Sequence, residues 1–122
     1  MSEILLDKFI DIFKNNILPL TVKGVDSGNK IFGAAILNKD NYSLVAAGSN
    51  NEIENPIWHG EIYTIKKFYE LNHGMRPKEK NCIFLSSHEP CSLCLSAITF
   101  SGFNNFYYLF PYESTSDEFN IP

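Results

Sequence analysis

Residues 59–94 carry the decisive pattern: His59-Gly60-Glu61 opens the stretch, and Pro90-Cys91-Ser92-Leu93-Cys94 closes it. One imidazole and two thiols are three donors of the kind zinc prefers, and a catalytic zinc keeps its fourth corner for water. A carboxylate two residues beyond the histidine, Glu61, is suited to take a proton from that water and pass it to a leaving group. The expected ligands are therefore His59, Cys91 and Cys94, holding one Zn2+ per chain, with Glu61 as the catalytic group.

Within the stretch, residues 58–71 have helical periodicity. Ile62, Ile65, Phe68 and Tyr69 are expected inward and Thr64, Lys66, Lys67 and Glu70 outward, with Gly74 and Pro77 beyond the end. His59 and Glu61 then fall in the first turn. Residues 82–86 are a buried strand in which Cys82 serves as a small apolar filler. Pro90 suits the first turn of a further helix that runs through Leu95, Ala97, Ile98 and Phe100 and stops at Gly102. Cys91 and Cys94, three apart, share one side of that opening turn. Two thiolates beside a dication and a hydroxide form an anionic cluster, and two helix amino ends offer it free N–H groups and partial positive charge.

Working outward, Leu6, Phe9, Ile10, Phe13 and Ile17 give residues 3–18 one apolar stripe, and Pro19 is expected to end that helix. Residues 31–37 and 44–47 are apolar runs joined by Asn38-Lys39-Asp40-Asn41, which predicts a hairpin buried on both faces. Gly33 marks a close backbone approach, to a ligand or to a packed helix. The polar loop from Gly48 to Pro56 uses its asparagines either for turns or, at the cleft, for reading a base edge with an amide. Residues 105–110 are a fourth strand. Tyr107, Tyr108, Phe110 and Tyr112 are read as core or interface aromatics. His73 and His88 are read as surface or capping residues, His88 alternatively as facing the pocket mouth. Helix, strand, strand, helix, strand, helix, strand is an α/β order, with helices packed on the faces of a sheet.

Composition sets the bounds. The 122 residues, 44% of them hydrophobic, suit one domain spanning 1–122. A net charge of −4 with ten Lys and Arg does not favour tight binding to a long nucleic acid. Charges at Glu3, Asp7, Lys8, Asp11 and Lys14 break the amino-terminal apolar run, so neither a signal peptide nor a membrane span is expected. Three cysteines give no secreted disulfide framework, which points to a reduced, cytoplasmic location.

A lone Cys-x-x-Cys could be a redox pair or half of a structural zinc site. Joined to His-x-Glu and preceded by proline, it reads as the zinc deaminase signature. From Ile31 to Tyr108 the chain resembles the cytidine and deoxycytidylate deaminase superfamily. The carrying residues are Phe32-Gly33-Ala34, Gly48-Ser49-Asn50-Asn51, Asn55-Pro56-Ile57-Trp58-His59-Gly60-Glu61 and Glu89-Pro90-Cys91-Ser92-Leu93-Cys94. These resemble guanine and tRNA adenosine deaminases, whereas Gly60, where those enzymes usually have alanine, is similar to fungal cytosine deaminase.

The resemblance implies a three-layer α/β/α sandwich with a mixed central sheet. It implies hydrolytic release of ammonia from a small nucleobase or nucleoside by a homodimer, without a membrane partner. Asn50 would hydrogen-bond the base, Phe32 would line its pocket, and backbone near Gly60 would hold the water. Trp58, in place of a small residue, would narrow the pocket, stack on the base or plug a subunit contact. Relatives continue with another strand and helix, so either the chain lacks these or a partner subunit supplies the lid. A tRNA-editing adenosine deaminase and a non-enzymatic structural zinc module are the alternatives; the first calls for basic residues at the mouth, the second has no use for Glu61.

Overall fold

The computed structural model describes residues 2–111. Four strands form one sheet in the order β2-β1-β3-β4: β1 (Gly33–Asn38), β2 (Leu44–Ser49), β3 (Cys82–His88) and β4 (Phe106–Phe110). β1 is antiparallel to both β2 and β3, and β3 is parallel to β4. The sheet is therefore mixed. Helices cover both faces, α1 (Glu3–Ile12) and α2 (Leu18–Asp26) on one, α3 (Gly60–Glu70) and α4 (Ser92–Ser101) on the other. This is the three-layer α/β/α arrangement with a mixed sheet that the family resemblance implied.

The layers are held by two apolar clusters. Leu5, Phe9, Ile12 and Ile17 pack on Ala35, Leu37, Ile83 and Leu85, while Phe68, Ile98 and Phe103 pack on Ala34, Ile36, Ala46 and Phe84. Alternate residues of β1 and β3 thus serve opposite layers, as the period of two requires.

Pro19 does not end the first helix. The Leu18 amide bonds to the Phe13 carbonyl, five residues back, so the chain widens into a π turn over Phe13–Ile17 and restarts as α2. Pro19 then lies in a new first turn, where a missing N–H breaks no ladder. β2 is not buried on both faces either: it is an edge strand, with Leu44 exposed and Ala46 and Gly48 buried. Ile31 and Phe32 precede β1 instead of joining it.

On α3 the expected sides are partly exchanged. Thr64 is fully buried and Tyr69 is exposed, because the stripe that meets the sheet is Gly60, Glu61, Thr64 and Phe68. The Thr64 hydroxyl donates to the Gly60 carbonyl at 2.7 Å, which lets a polar side chain sit there. Gly33 proves to be a packing glycine: a Cβ there would stand 2.7 Å from Cγ2 of Ile17 and 3.0 Å from Cγ2 of Thr21. Tyr107 packs half-buried against the α1 cluster, whereas Tyr108 and Phe110 are exposed and Tyr112 lies outside the described residues.

Because β1 runs against its two neighbours, its start meets the ends of β2 and β3, with Gly33 opposite Ser49 and Ala34 opposite Ser86. Phe32, Asn50 and the segment after His88 are thereby gathered at one end of the sheet, where α3 and α4 both begin.

Candidate metal centre and active site

His59 is the residue immediately before α3, and Cys91 stands in the same position before α4; neither side chain caps its helix. Both are extended, so their side chains are free to point away from the helix axis while their carbonyls start the ladders, accepting from Tyr63 and Leu95 at 2.8 and 2.9 Å. His59 is thus one residue outside the first turn in which the spacing had placed it. Pro90 also lies outside its helix, buried against the fold.

The donor atoms of His59, Cys91 and Cys94 lie within 4.8 Å of one another, and Nδ1 of His59 is 3.5 Å from the Cys91 sulfur. A tetrahedral zinc with bonds of about 2.0–2.1 Å to nitrogen and 2.3 Å to sulfur would hold such a pair about 3.6 Å apart. The donor set and its spacing fit that ion. The charges agree: the Cys94 thiol hydrogen-bonded to Cys91 holds the Cys91 thiol down at about 3, while the Cys91 sulfur and burial push Cys94 far above the ordinary thiol range. Ionising one of two adjacent sulfurs opposes ionising the other, and a dication would let both ionise. Amides at the two helix starts face them, that of Cys94 toward the Cys91 sulfur and that of Ile62 toward the Cys94 sulfur.

Glu61 is the next residue inward. It is 6% exposed, and burial pushes its carboxyl up to about 7, despite its own backbone amide favouring the charged form. A buried acid that titrates near neutrality can both accept and return a proton.

A narrow cleft is lined by Phe32, Asn50, His59, Glu61, His88, Glu89 and Cys91. Asn50 is 2% exposed and among the described residues its side-chain nitrogen has no partner, whereas its Oδ1 accepts from the backbone amides of Lys30 at 3.3 Å and Glu52 at 3.2 Å. These bonds fix which end of the amide is committed to the protein. The neighbouring asparagines do turn work instead, Asn51 bonding Glu54 and Asn55 accepting from Ile57. The Asn50 backbone N–H donates to the Phe32 carbonyl at 2.7 Å, which ties the two cleft residues across the hairpin.

Two expected residues are not among those lining this cleft. The Trp58 ring packs edge-on against Tyr63, 6.3 Å between centroids. Gly60 is where α3 presses on β1: a Cβ would stand 2.6 Å from the Phe32 carbonyl oxygen, so no side chain fits.

Two others were not singled out from the sequence. Glu52 holds His59 from behind, its carboxylate 3.3 Å from Nε2 and anchored by Lys30 at 3.1 Å; this turns Nδ1 toward the sulfurs. It lies in an aperiodic loop seven residues upstream, which no spacing rule reaches. Glu89 joins the cleft wall with His88, and its place directly before Pro90-Cys91 was the available signal.

Comparison with known proteins agrees with this geometry. The chain is 33% identical over 91 residues to guanine deaminase of Bacillus subtilis, a stretch covering 72% of this chain and 56% of that relative. It therefore spans little more than half of that protein's length. The crystal structure of Bacillus subtilis guanine deaminase superposes with a TM-score of 0.71 at 26% identity, covering 97% of this chain and 70% of the other. A tRNA:A34 deaminase shares the fold at 21% identity and a TM-score of 0.68, over 81% and 75% of the two chains. Guanine deaminase from Nitrosomonas europaea does so at 22% and 0.68, over 83% and 58%. The sequence pattern of the cytidine and deoxycytidylate deaminase zinc-binding region matches residues 14–110, and with that much of the polypeptide accounted for, the chain belongs to this deaminase family.

Proposed function

We propose that this protein is a zinc-dependent hydrolytic deaminase releasing ammonia from a small nucleobase or nucleoside, of the guanine, cytosine or adenine type. The observation that carries the reading is the convergence of His59, Cys91 and Cys94 beside a buried carboxyl, Glu61, at the mouth of a narrow cleft.

His59 through Nδ1, with the two sulfurs, would hold one ion per chain. Zinc, when bound, supplies the positive charge that makes water a nucleophile near neutral pH. Glu61 accepts the proton of the attacking water and returns it to the departing amino nitrogen, so that ammonia leaves as a neutral molecule. The Asn50 amide nitrogen donates to an acceptor on the ring, and Phe32 walls one side of the cleft. Gly60 contributes by absence, since any side chain there would lift the helix start away from β1.

The narrowness of the cleft and the acidic balance of the chain support a small substrate over a structured RNA. A merely structural zinc site would gain nothing from an ionisable group buried against it. Three free cysteines suit a reducing cytoplasm. Leu93 and Phe100, exposed two turns apart on one side of α4, give a face on which a second copy would pair. Among the described residues no helix is long and apolar enough to cross a membrane.

Colourimetric ammonia release from guanine, cytosine, adenine and their nucleosides, with and without chelator, tests the reading. At least one should be turned over, and chelation should abolish the signal. Turnover of a tRNA stem-loop alone would favour the editing alternative, and zinc binding without any turnover would favour a structural module.

A further inference from the structure

We propose that His88 is a specificity-determining residue whose Nε2–H, on the wall of the cleft that Asn50 also lines, donates a hydrogen bond to a ring acceptor of the substrate. The assignment follows from the hydrogens around Ser87. Its side chain is 1% exposed, its oxygen accepts the Gly33 amide at 3.0 Å, and it lies 2.7 Å from Nδ1 of His88. A buried hydroxyl must place its own hydrogen somewhere, and among the described residues Nδ1 is the acceptor within reach. Nδ1 is then the unprotonated nitrogen, and a neutral imidazole so held carries its proton on Nε2. Burial keeps the ring neutral at physiological pH by pulling its pKa down to about 4.

The ring is fixed as well as oriented. Phe32 meets it edge-on with centroids 4.7 Å apart, and Phe110 lies 5.0 Å away on another side. Among the described residues Nε2 has no hydrogen-bond partner, and His88 lines the same cleft as Asn50 and Glu61. The cleft wall therefore offers two neutral donors, Asn50 Nδ2–H and His88 Nε2–H, beside two carboxyls, Glu61 and Glu89. Two donors in one cleft call for two acceptors on the ring, and a carbonyl oxygen supplies one beyond the ring nitrogens, which favours amino-oxo heterocycles over rings without a carbonyl.

The inference rests on the deaminase reading for its cleft, so binding and turnover are measured separately. Zinc-loaded protein is titrated calorimetrically with guanine against 2-aminopurine, and with cytosine against 4-aminopyrimidine; the second member of each pair lacks the carbonyl and carries a bare ring nitrogen in place of the adjacent N–H. Wild type should prefer the carbonyl-bearing member of whichever pair it binds. His88→Leu should weaken that member about 10-fold, leave its partner unchanged and keep the zinc, and His88→Gln, which retains an N–H donor, should recover most of the loss.

Equal binding of both members, equal weakening of both by His88→Leu, or no binding of any of the four rings overturns the proposal. Carbonyl preference lost in His88→Leu without ammonia release from wild type would overturn the deaminase reading and leave the donor assignment standing. Should His88→Leu fail to fold, 15N NMR of the unaltered protein decides: protonation of His88 at Nε2 supports the assignment, and protonation at Nδ1 overturns it.

Discussion

On one face of the sheet, α1 and the π turn after it lie over β1 and β3, and their contribution is apolar contact: Leu5, Phe9, Ile12 and Ile17 against Ala35, Leu37, Ile83 and Leu85. On the other, α3 and α4 pack just as apolar a cluster, yet their first residues, and the two immediately before them, reach beyond it with His59, Glu61, Cys91 and Cys94. Both faces use a missing Cβ for close approach, Gly33 under Ile17 and Gly60 against Phe32. Side-on packing gives stability on both faces. Only the face whose helices begin at the cleft brings donors, a buried acid and amide dipoles together.

The contrast can be broken most completely at the metal. Cys91→Ala should lose bound zinc and all turnover while the α1 face stays folded, as read by metal analysis and far-ultraviolet circular dichroism; retained zinc would remove Cys91 from the ligand set. Glu61→Gln should keep the metal and lose about 10²–10⁴-fold in kcat, because only the proton shuttle is gone. Phe9→Ala reverses the pattern. With Phe9 fully buried, it should cost about 3–5 kcal/mol in chemical denaturation and leave kcat of the folded fraction unchanged.

Two smaller effects sharpen the comparison. Glu52→Gln should weaken zinc about 10- to 100-fold in competition with a chelator, since the ring loses its anionic support without losing its packing. His88, held near 4 when folded and near 6.5 when unfolded, binds its proton more readily in the unfolded chain. Its contribution is therefore full above pH 6.5 and is lost as pH falls toward 4, so the thermal midpoint of His88→Leu should fall less than that of wild type across that interval.

Much of this layout was legible along the chain. Strands and helices followed from periodicity, and the stop of α4 at Gly102 followed from a glycine that adopts a left-handed φ of 106°. Pro19 misled because proline breaks a helix only where its amide is needed, and a π turn removed that need. Tyr69 and Thr64 misled because hydrophobicity ranks residues by type, whereas the Thr64 hydroxyl found a carbonyl within its own helix. Asn50 could be placed before the helix but not distinguished physically from Asn51 and Asn55, since all three have the same chemistry until the fold shows whose side-chain nitrogen is left without a partner among the described residues.

By itself the sequence determined the donor types, because imidazole, thiol and carboxyl chemistry is a property of the residue, and it determined the helix starts on which they ride. Tertiary structure decided what those groups face: that Glu52 stands behind His59, that Glu61 is buried enough to hold a proton near pH 7, and that Ser87 sets the tautomer of His88. The physical reason is range. Bonding preference is local to a side chain, whereas burial, hydrogen-bond partners and proton position depend on atoms supplied by distant parts of the chain.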